Sequence, residues 1–500
     1  MTVKVTNNGF STLASGINNS VTTIALASGE GARFPNPSSP DVFYATLIDT
    51  SNNLEVVKVT ARSTDSLTVV RAQDNTSARA FSTGDRFELR PVAKLFEDIQ
   101  AEARDLNGAE LVLDADGDTS ITADTDDRID MKVGGADVAH IINTGVSQGA
   151  LLNRNPQPII INGDMAVAQR GNQTGKTDGC YTACDRFYFN SINMGTWSLT
   201  QSTENPGFGF AHSLKYDCTS ADGGVGAGDN NYLSYQTEGR NLQGLQKGTS
   251  NAKTSTVAFW IKCNKTGNIV CELWDRTNDR HVGQVVSISS ADTWEKKIVN
   301  FPADTSGAIA SDNARSIMIS WAFGAGSNFT SGTLPSAWAS RSDANRFVGT
   351  TLSLPDNTAN EVYITGVQWE IGTFTADTIP PFQFEDAQQS LSRCHRYYFR
   401  QGDEGGYAAL GSGVCENTAQ AYIMINLPTT MRASPSASFT GNVTLFDGDT
   451  FNTSSSINST QKGTNCVRLT VTGNIQVANG HGATLHVENS SSYAEFASEI

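Results

Sequence analysis

Apolar and polar residues alternate with period two along most of the 500-residue chain, the pattern of half-buried strands. Within residues 1–92 the runs FYATLID, LEVVKVTAR, SLTVVRA and RFELRPV are β-branched and alternating, and TSNN and STDS between the first three are turn chemistry. They predict hairpins of a meander or small barrel. A helical period then takes over: Pro91 precedes VAKLFEDIQAEARDLNG, where Leu95, Ile99, Glu102 and Leu106 share a side and Gly108 ends the run. So narrow a stripe on about a dozen residues predicts a short trimeric coiled coil over 93–107. The alternative is a helix packed on its own N-terminal module.

Residues 108–154 carry short strand patterns, ELVL, TSITA, RIDMKV and VAHII, separated by Asp-Gly and Gly-Gly turns. Each buries too little to stand alone, so a β-rich stalk of three intertwined chains, prism-like in section, is expected. NRNPQP, residues 153–158, reads as a hinge. TWSLTQS, HSLKYDC, YLSYQTE, TSTVAFWIKC, NIVCELWD, VVSIS, WEKKIVNF, RSIMISWAF, RFVGTTLSL and EVYITGVQWEI follow at regular spacing, predicting a jelly-roll β-sandwich over 155–386, like carbohydrate-binding modules. In the last of these Val367, Trp369 and Ile371 alternate with Gln368 and Glu370, and Pro380-Pro381 forbids continuation. A short helical linker, with Ala387, Leu391 and Cys394 on one face, leads into a C-terminal β module over 387–500. There GYAALGSGVCE, AQAYIMINLP, SASFTG, VTLFDG, NCVRLTVTG and TLHVENSSSYAEF are strands, and TFNTSSSINSTQKGTN is an exposed loop. The fold class is mainly β and multidomain.

Composition narrows the partners. With 51 Asp+Glu against 35 Lys+Arg the net charge is -16, and no basic cluster suited to a phosphate backbone stands out, so nucleic acid is not an expected partner. No stretch approaches the ~20 apolar residues of a membrane span, and MTVKVTNNGFSTL lacks the pattern of a secretory leader. The eight cysteines are scattered and read as thiols made in a reducing cytosol. Cys180 and Cys184 form C-x3-C without a second pair at zinc spacing. DADGD invites calcium, but EF-hand positions 6 and 12 counted from Asp114 are Thr119 and Thr125. No cofactor is expected; a non-EF-hand calcium site on Asp114, Asp116 and Asp118 is the one metal alternative.

Several segments resemble bacteriophage tail-fibre proteins. Gln368, Glu370, Gly372, Pro381, Phe382, Glu385, Leu391, Cys394, Arg396 and Tyr397 match a signature that recurs just ahead of their terminal β module. The N-terminal passage with Arg71, Arg79, Gly84, Asp85 and Arg86 is similar to modules on the virion side of such fibres, each of these residues taken singly reading as a surface charge or turn. LVLDADGDTSITADTDDRIDMKVGG is similar to their shaft segments. The pair IIINGDMAVAQRG and GCYTACDRFYF places Asn162, Gly163, Asp164, Gln169, Arg170, Gly171, Tyr181, Asp185 and Arg186 in a further signature, Asp185-Arg186 reading as a structural pair or turn. Leu427, Pro428, Met431, Arg432, Ala433 and Pro435 match an element of fibre tips. The resemblance implies a homotrimer assembled in the host cytoplasm and carried on the virion tail, attached to tail, baseplate or adaptor proteins by its N-terminal module and to a host surface polysaccharide by its distal domains. The alternatives are a capsid head fibre or decoration protein and a tailspike-like depolymerase; the absence of an export signal disfavours a bacterial adhesin.

No G-x-S-x-G elbow, zincin helix, Walker loop or β-helix repeat supports an enzyme, although a carboxylate pair at glycosidase spacing stays open. All seven tryptophans lie in the predicted sandwich. Trp321 shares its face with Ile317, Ile319 and Phe323 and is expected in the core. Trp274 shares its face with Glu272 and Arg276, and Trp338 sits in a loop of small and polar residues, so both are expected exposed. Trp338, Arg341 and Asp343, with Trp274 as a second position, are the candidate glycan platform, aromatic faces for sugar rings and charged groups for hydroxyls. A loop tryptophan folded over a hydrophobic seam is the alternative for Trp338.

Overall fold

The computed structural model describes residues 3–104, 110–125, 128–142, 145–148, 157–402, 408–453, 456–473, 475–489 and 491–500. Leu106, Gly108 and most of the expected hinge lie outside the described residues. The chain divides into two compact units, residues 1–149 and 150–500, and is mainly β.

In the first unit, strands Phe10–Thr12, Arg86–Glu88, Phe43–Ile48, Leu54–Ser63, Ser66–Gln73 and Thr23–Ala25 lie side by side in that order, antiparallel throughout. Phe43, Leu47, Val57, Val59, Leu67 and Phe87 fill the core between them. Arg71 is not the surface charge expected. It reaches Glu55, which is fully buried, with Nε 2.8 Å from Oε1 and Nη2 2.7 Å from Oε2, and the Ala72 and Arg79 amides also donate to that carboxylate. A buried carboxylate needs this many donors, and the arginine is drawn inward to supply them.

Helix Ala93–Arg104 divides its apolar stripe. Leu95 packs with Val92 against Val3, Val42, Tyr44 and Val56, and the Tyr44 hydroxyl donates to Asp98 at 2.6 Å. Phe96 and Ile99 remain exposed. Leu95 is thus held by its own module, and the exposed side is what the coiled-coil expectation has left to use. Strands Leu111–Val112, Ser120–Thr125, Arg128–Val133, Ala136–Ile142 and Gly145–Gln148 form an antiparallel meander. Its register places Leu111 beside Ile121, Ile121 beside Met131 and Ile129 beside Ile141. Leu111, Ile129, Met131 and Ile141 on that face are exposed, whereas Ser120, Thr122 and Asp130 are buried.

The second unit opens with a two-sheet sandwich. The first sheet runs Gln173–Lys176, Thr196–Ser202, Ser213–Ser220, Glu361–Ile371, Ser255–Cys263, Glu295–Phe301. The second runs Cys180–Tyr181, Phe187–Ile192, Asn230–Glu238, Arg315–Ala325, Gly267–Asp275, Arg280–Ile288, Ala339–Ser340. Trp197, Trp321 and Trp369 lie fully buried between them, Trp321 beside Ile317, Ile319 and Phe323 as the phasing requires. RFVGTTLSL is not a strand. Its leucines, Leu352 and Leu354, enter the core while Arg346 is spent on a buried partner, so the segment is a loop pinned at both ends.

Beyond helix Ala387–His395, capped by Asp386 accepting from the Gln388 amide, a seven-stranded and a three-stranded sheet build the terminal module around Ile423, Ile425, Leu469 and Leu485. The polar run expected to be a loop contributes strands Phe451–Thr453 and Ser456–Lys462, which pair with Val443–Phe446 and Cys466–Thr472. An edge strand completes its backbone hydrogen bonds without an apolar pattern, so periodicity does not reveal it.

The signature residues meet where sandwich and terminal module join. Arg186 bonds Glu499 and donates to the Gln236 carbonyl at 2.8 Å, and its guanidinium lies 3.4 Å from the Tyr397 ring centroid. Arg170 reaches both Asp185 and Glu499. Arg396 and Tyr397 converge on Glu238 at 2.7 and 2.5 Å, and Arg432 donates to the Asn313, Ser498 and Glu499 carbonyls. The strand Glu361–Ile371 crosses so close to Gly163 that a Cβ there would lie 2.1 Å from the Val367 carbonyl oxygen.

Candidate functional site

The expected platform is not assembled as one surface. Trp274 lies on the face of Glu272 and Arg276, as its phasing says, yet it is only 9% exposed. The guanidinium carbons of Arg276, Arg341 and Arg346 lie 3.7, 4.0 and 4.8 Å from its ring centroid, and these groups, which period-two reasoning cannot place, cover it. Trp338 is half-buried against the sandwich core, its Nε1 donating to the Pro302 carbonyl at 2.9 Å and the Lys247 ammonium 4.9 Å from its ring. It closes a hydrophobic seam. Arg341 and Asp343 pair with each other, but over Trp274: Ala339–Ser340 adds to the sheet edge beside His281 and Arg280, and the chain leaving it carries Arg341 across the indole. Beneath them Glu272 is fully buried, held by Arg346 at 2.8 Å and His281 Nδ1 at 2.9 Å. Burial pushes the Glu272 carboxyl up, and Arg346 and His281 outweigh it and keep the carboxyl below its ordinary range.

The outer face of the six-stranded sheet presents what the sequence reading missed. In NPGFGF, Gly207, Phe208 and Gly209 have φ of 81°, 53° and 90°. A bulky side chain in the left-handed region is an outlier that its surroundings must enforce. Phe208 is also 75% exposed, and its ring stacks on Trp260 with centroids 5.1 Å apart and planes 17° apart. Trp260 lies flat because Gly366, at φ 60° in a bulge of the partner strand, has no side chain; a Cβ would meet Trp260 Cδ1 at 2.9 Å and Phe210 at 2.7 Å. Phe210 in turn packs on Phe382 and the exposed Phe384.

Polar groups border this shelf. Lys262 donates to Glu204 at 3.0 Å and Trp294 Nε1 to the same carboxylate at 3.3 Å, which holds Glu204 below the usual carboxylate range. Lys215 pairs with Glu361 at 2.6 Å, and both Lys215 and Lys262 lie within 6 Å of the Tyr363 ring centroid, at 5.7 and 5.5 Å. Lys296, opposite Trp260 in register, has its pKa pulled down by burial. An exposed phenylalanine backed by a half-buried tryptophan and edged by ammonium and carboxylate groups can stack on the apolar face of a sugar ring and hydrogen-bond its hydroxyls. The legible signal was a phenylalanine between two glycines, a turn that displays an apolar ring.

Two further features are less complete. In the terminal module a cleft of about 750 Å³ is lined by Thr444, Phe446, Phe451, Thr453, Thr484, His486 and Glu488, with Phe451 64% exposed and stacked 4.5 Å from Phe446. Asp114, Asp116 and Asp118 are exposed and can each offer an oxygen within 4.8 Å of the others; Asp114 already accepts from the Gly117 and Thr119 amides.

No protein-family model and no curated protein matches the chain. Among solved structures it is similar to the enzymatically active domain of tailspike protein 4 of bacteriophage CBA120, at 9% identity and TM-score 0.23 over 43% of this chain and 21% of that one. It is similar also to a family 11 carbohydrate-binding module from Clostridium thermocellum in complex with a β-1,3-1,4-mixed-linked tetrasaccharide, at 10% identity and TM-score 0.22 over 38% and 90% of the two chains. The CBM22-1 xylan-binding domain of Paenibacillus barcinonensis Xyn10C matches at 9% identity and TM-score 0.20, over 40% and 99%.

Proposed function

We propose that this chain is a non-enzymatic, fibre-type attachment protein of a phage tail that recognises a host surface glycan through its sandwich. The observation that carries the glycan reading is Phe208, held in left-handed backbone, three-quarters exposed and stacked on Trp260. A chain gains nothing in stability by presenting that ring to water, whereas a sugar face gains from it. The phage reading rests on the five signature segments and their order along the chain. In it the N-terminal module attaches to the virion, and the exposed apolar face of the 111–148 meander packs against two further copies of the chain.

Titration of the host's purified surface polysaccharide into the full chain tests the glycan reading. Phe208→Ala is expected to weaken binding about 3- to 10-fold, corresponding to roughly 1 kcal/mol of stacking, with the melting temperature unchanged and no new reducing ends released. Equal binding by Phe208→Ala and Trp260→Ala variants would overturn the site, and released reducing ends would establish a depolymerase instead.

A further inference from the structure

Around Trp274 the local charge runs against that of the whole chain. Net charge is -16, yet three guanidinium groups gather within 4.8 Å of one indole centroid, and Arg315 stands close enough to act on Arg276. The cations are not equally satisfied. Arg346 is neutralised by Glu272 and Arg341 pairs with Asp343. Among the described residues the Arg315 guanidinium donates only to the Gln236 amide oxygen, at 3.3 Å. Arg276, half-buried, has no carboxylate partner among the described residues; the nearby Asp279 carboxylate takes the indole N–H instead, at 3.3 Å. Burial and then the Arg315, Arg346 and Arg341 charges bring the Arg276 pKa down to about 10. A second observation points the same way. On this part of the sheet face Ser316 Oγ and Arg341 Nε are buried polar atoms with no hydrogen-bond partner among the described residues, and Ser316 is 2% exposed. Buried donors of that kind, beside crowded guanidinium groups, call for an anion.

We propose that Arg276, Arg315 and Arg341 form a second site, on the sandwich face opposite Phe208, for the anionic oxygen group, carboxylate or sulfate, of an acidic sugar. Planar guanidinium groups take such oxyanions in bidentate geometry, and the ligand relieves the like-charge crowding that the free protein carries. Because arginines cover Trp274, the ligand meets guanidinium edges and not the indole. That the anion belongs to a saccharide rests on the glycan reading above; the anion site itself does not.

The test is calorimetric titration of the full chain with trigalacturonate, its methyl ester, a sulfated disaccharide and sodium sulfate alone, using wild type, Arg276→Gln, Arg315→Gln and Phe208→Ala. Trigalacturonate or the sulfated sugar is expected to bind about tenfold more tightly than the neutral ester; which of the two does so identifies the group. Arg276→Gln and Arg315→Gln should each reduce that preference to within about twofold, whereas Phe208→Ala, on the opposite face of the sandwich, should leave it unchanged. Without ligand, Arg276→Gln should melt no lower than wild type, since it removes a crowded cation; a purely structural clamp on Trp274 would melt lower. Equal binding of acid and ester, or an undiminished preference in Arg276→Gln, overturns this second site while leaving the Phe208 site standing. If no sugar binds but sulfate raises the melting temperature only when Arg276 is present, the anion site stands and the glycan reading fails.

Discussion

Arg186 is carried to a place that water does not reach, and its neighbours show what that demands. Burial penalises its charge, and Glu499, with the surrounding tyrosines, holds it protonated. Glu499→Gln should therefore cost about 3 kcal/mol in urea unfolding, because the variant leaves a buried cation without its anion. Asp185, next in the chain, has different partners, Arg170 and Gln169, and burial lifts its carboxyl to about 6 in spite of them. An unfolded Asp titrates near ~3.9, so between pH ~4 and ~6 the folded chain holds a proton that the unfolded chain has released. Acidification through that window adds stability, by at most about 3 kcal/mol, and raising the pH through 6 removes it. Asp185→Asn should flatten this limb when melts from pH 4 to 7 are compared. The signature that contains both residues was legible as a pattern; Asp185 and Arg186 lie in a turn, one of the two expected arrangements, but do not pair with each other. What could not be read is which partner each charge takes, since Glu499 lies more than three hundred positions away.

At the scale of elements, strands whose two faces differ in polarity were legible: Thr196–Ser202, Arg128–Val133 and Glu361–Ile371 coincide with their patterns. The failures have physical causes. Ser456–Lys462 is polar on both sides and exists because an edge was available, and Arg346–Leu354 has apolar residues that serve as plugs from a loop. Helix Ala93–Arg104 was half legible, because its stripe serves two surfaces. Leu95 belongs to its own module, so Leu95→Asp would damage that module whatever the oligomeric state. Ile99→Asp combined with Met131→Asp alters only exposed positions. In light scattering this double variant should dissociate a trimer into folded monomers, with the sandwich melting unchanged; a wild-type chain that is already monomeric would remove the meander face as an assembly surface.

For the whole molecule, net charge and local charge have different ranges. Each chain carries -16, and an anionic cell surface repels it over roughly a Debye length, about 30 Å at 0.01 M salt and about 8 Å at 0.15 M. The arginines around Trp274 act at contact distance, where desolvated charge pairs are screened much less. Raising ionic strength from very low values should thus first speed association, as the long-range repulsion is screened. Only beyond about 0.15 M should it weaken attachment to cells, as the loss of guanidinium contacts to salt outweighs the screened repulsion. Association rates for intact cells, measured from 0.01 to 0.5 M sodium chloride, are expected to rise, while dissociation constants for a short acidic oligosaccharide, which carries little long-range charge, should rise monotonically. The contrast between the two is specific to a negative protein with a positive site. Should rates on cells fall from the lowest salt onward, attraction would dominate at long range, and the acidic surface would not be steering the encounter. Arg276→Gln should leave the rising limb on cells intact and make the salt dependence of oligosaccharide binding shallower, since it changes the net charge by one in sixteen but removes a cation with no carboxylate partner among the described residues.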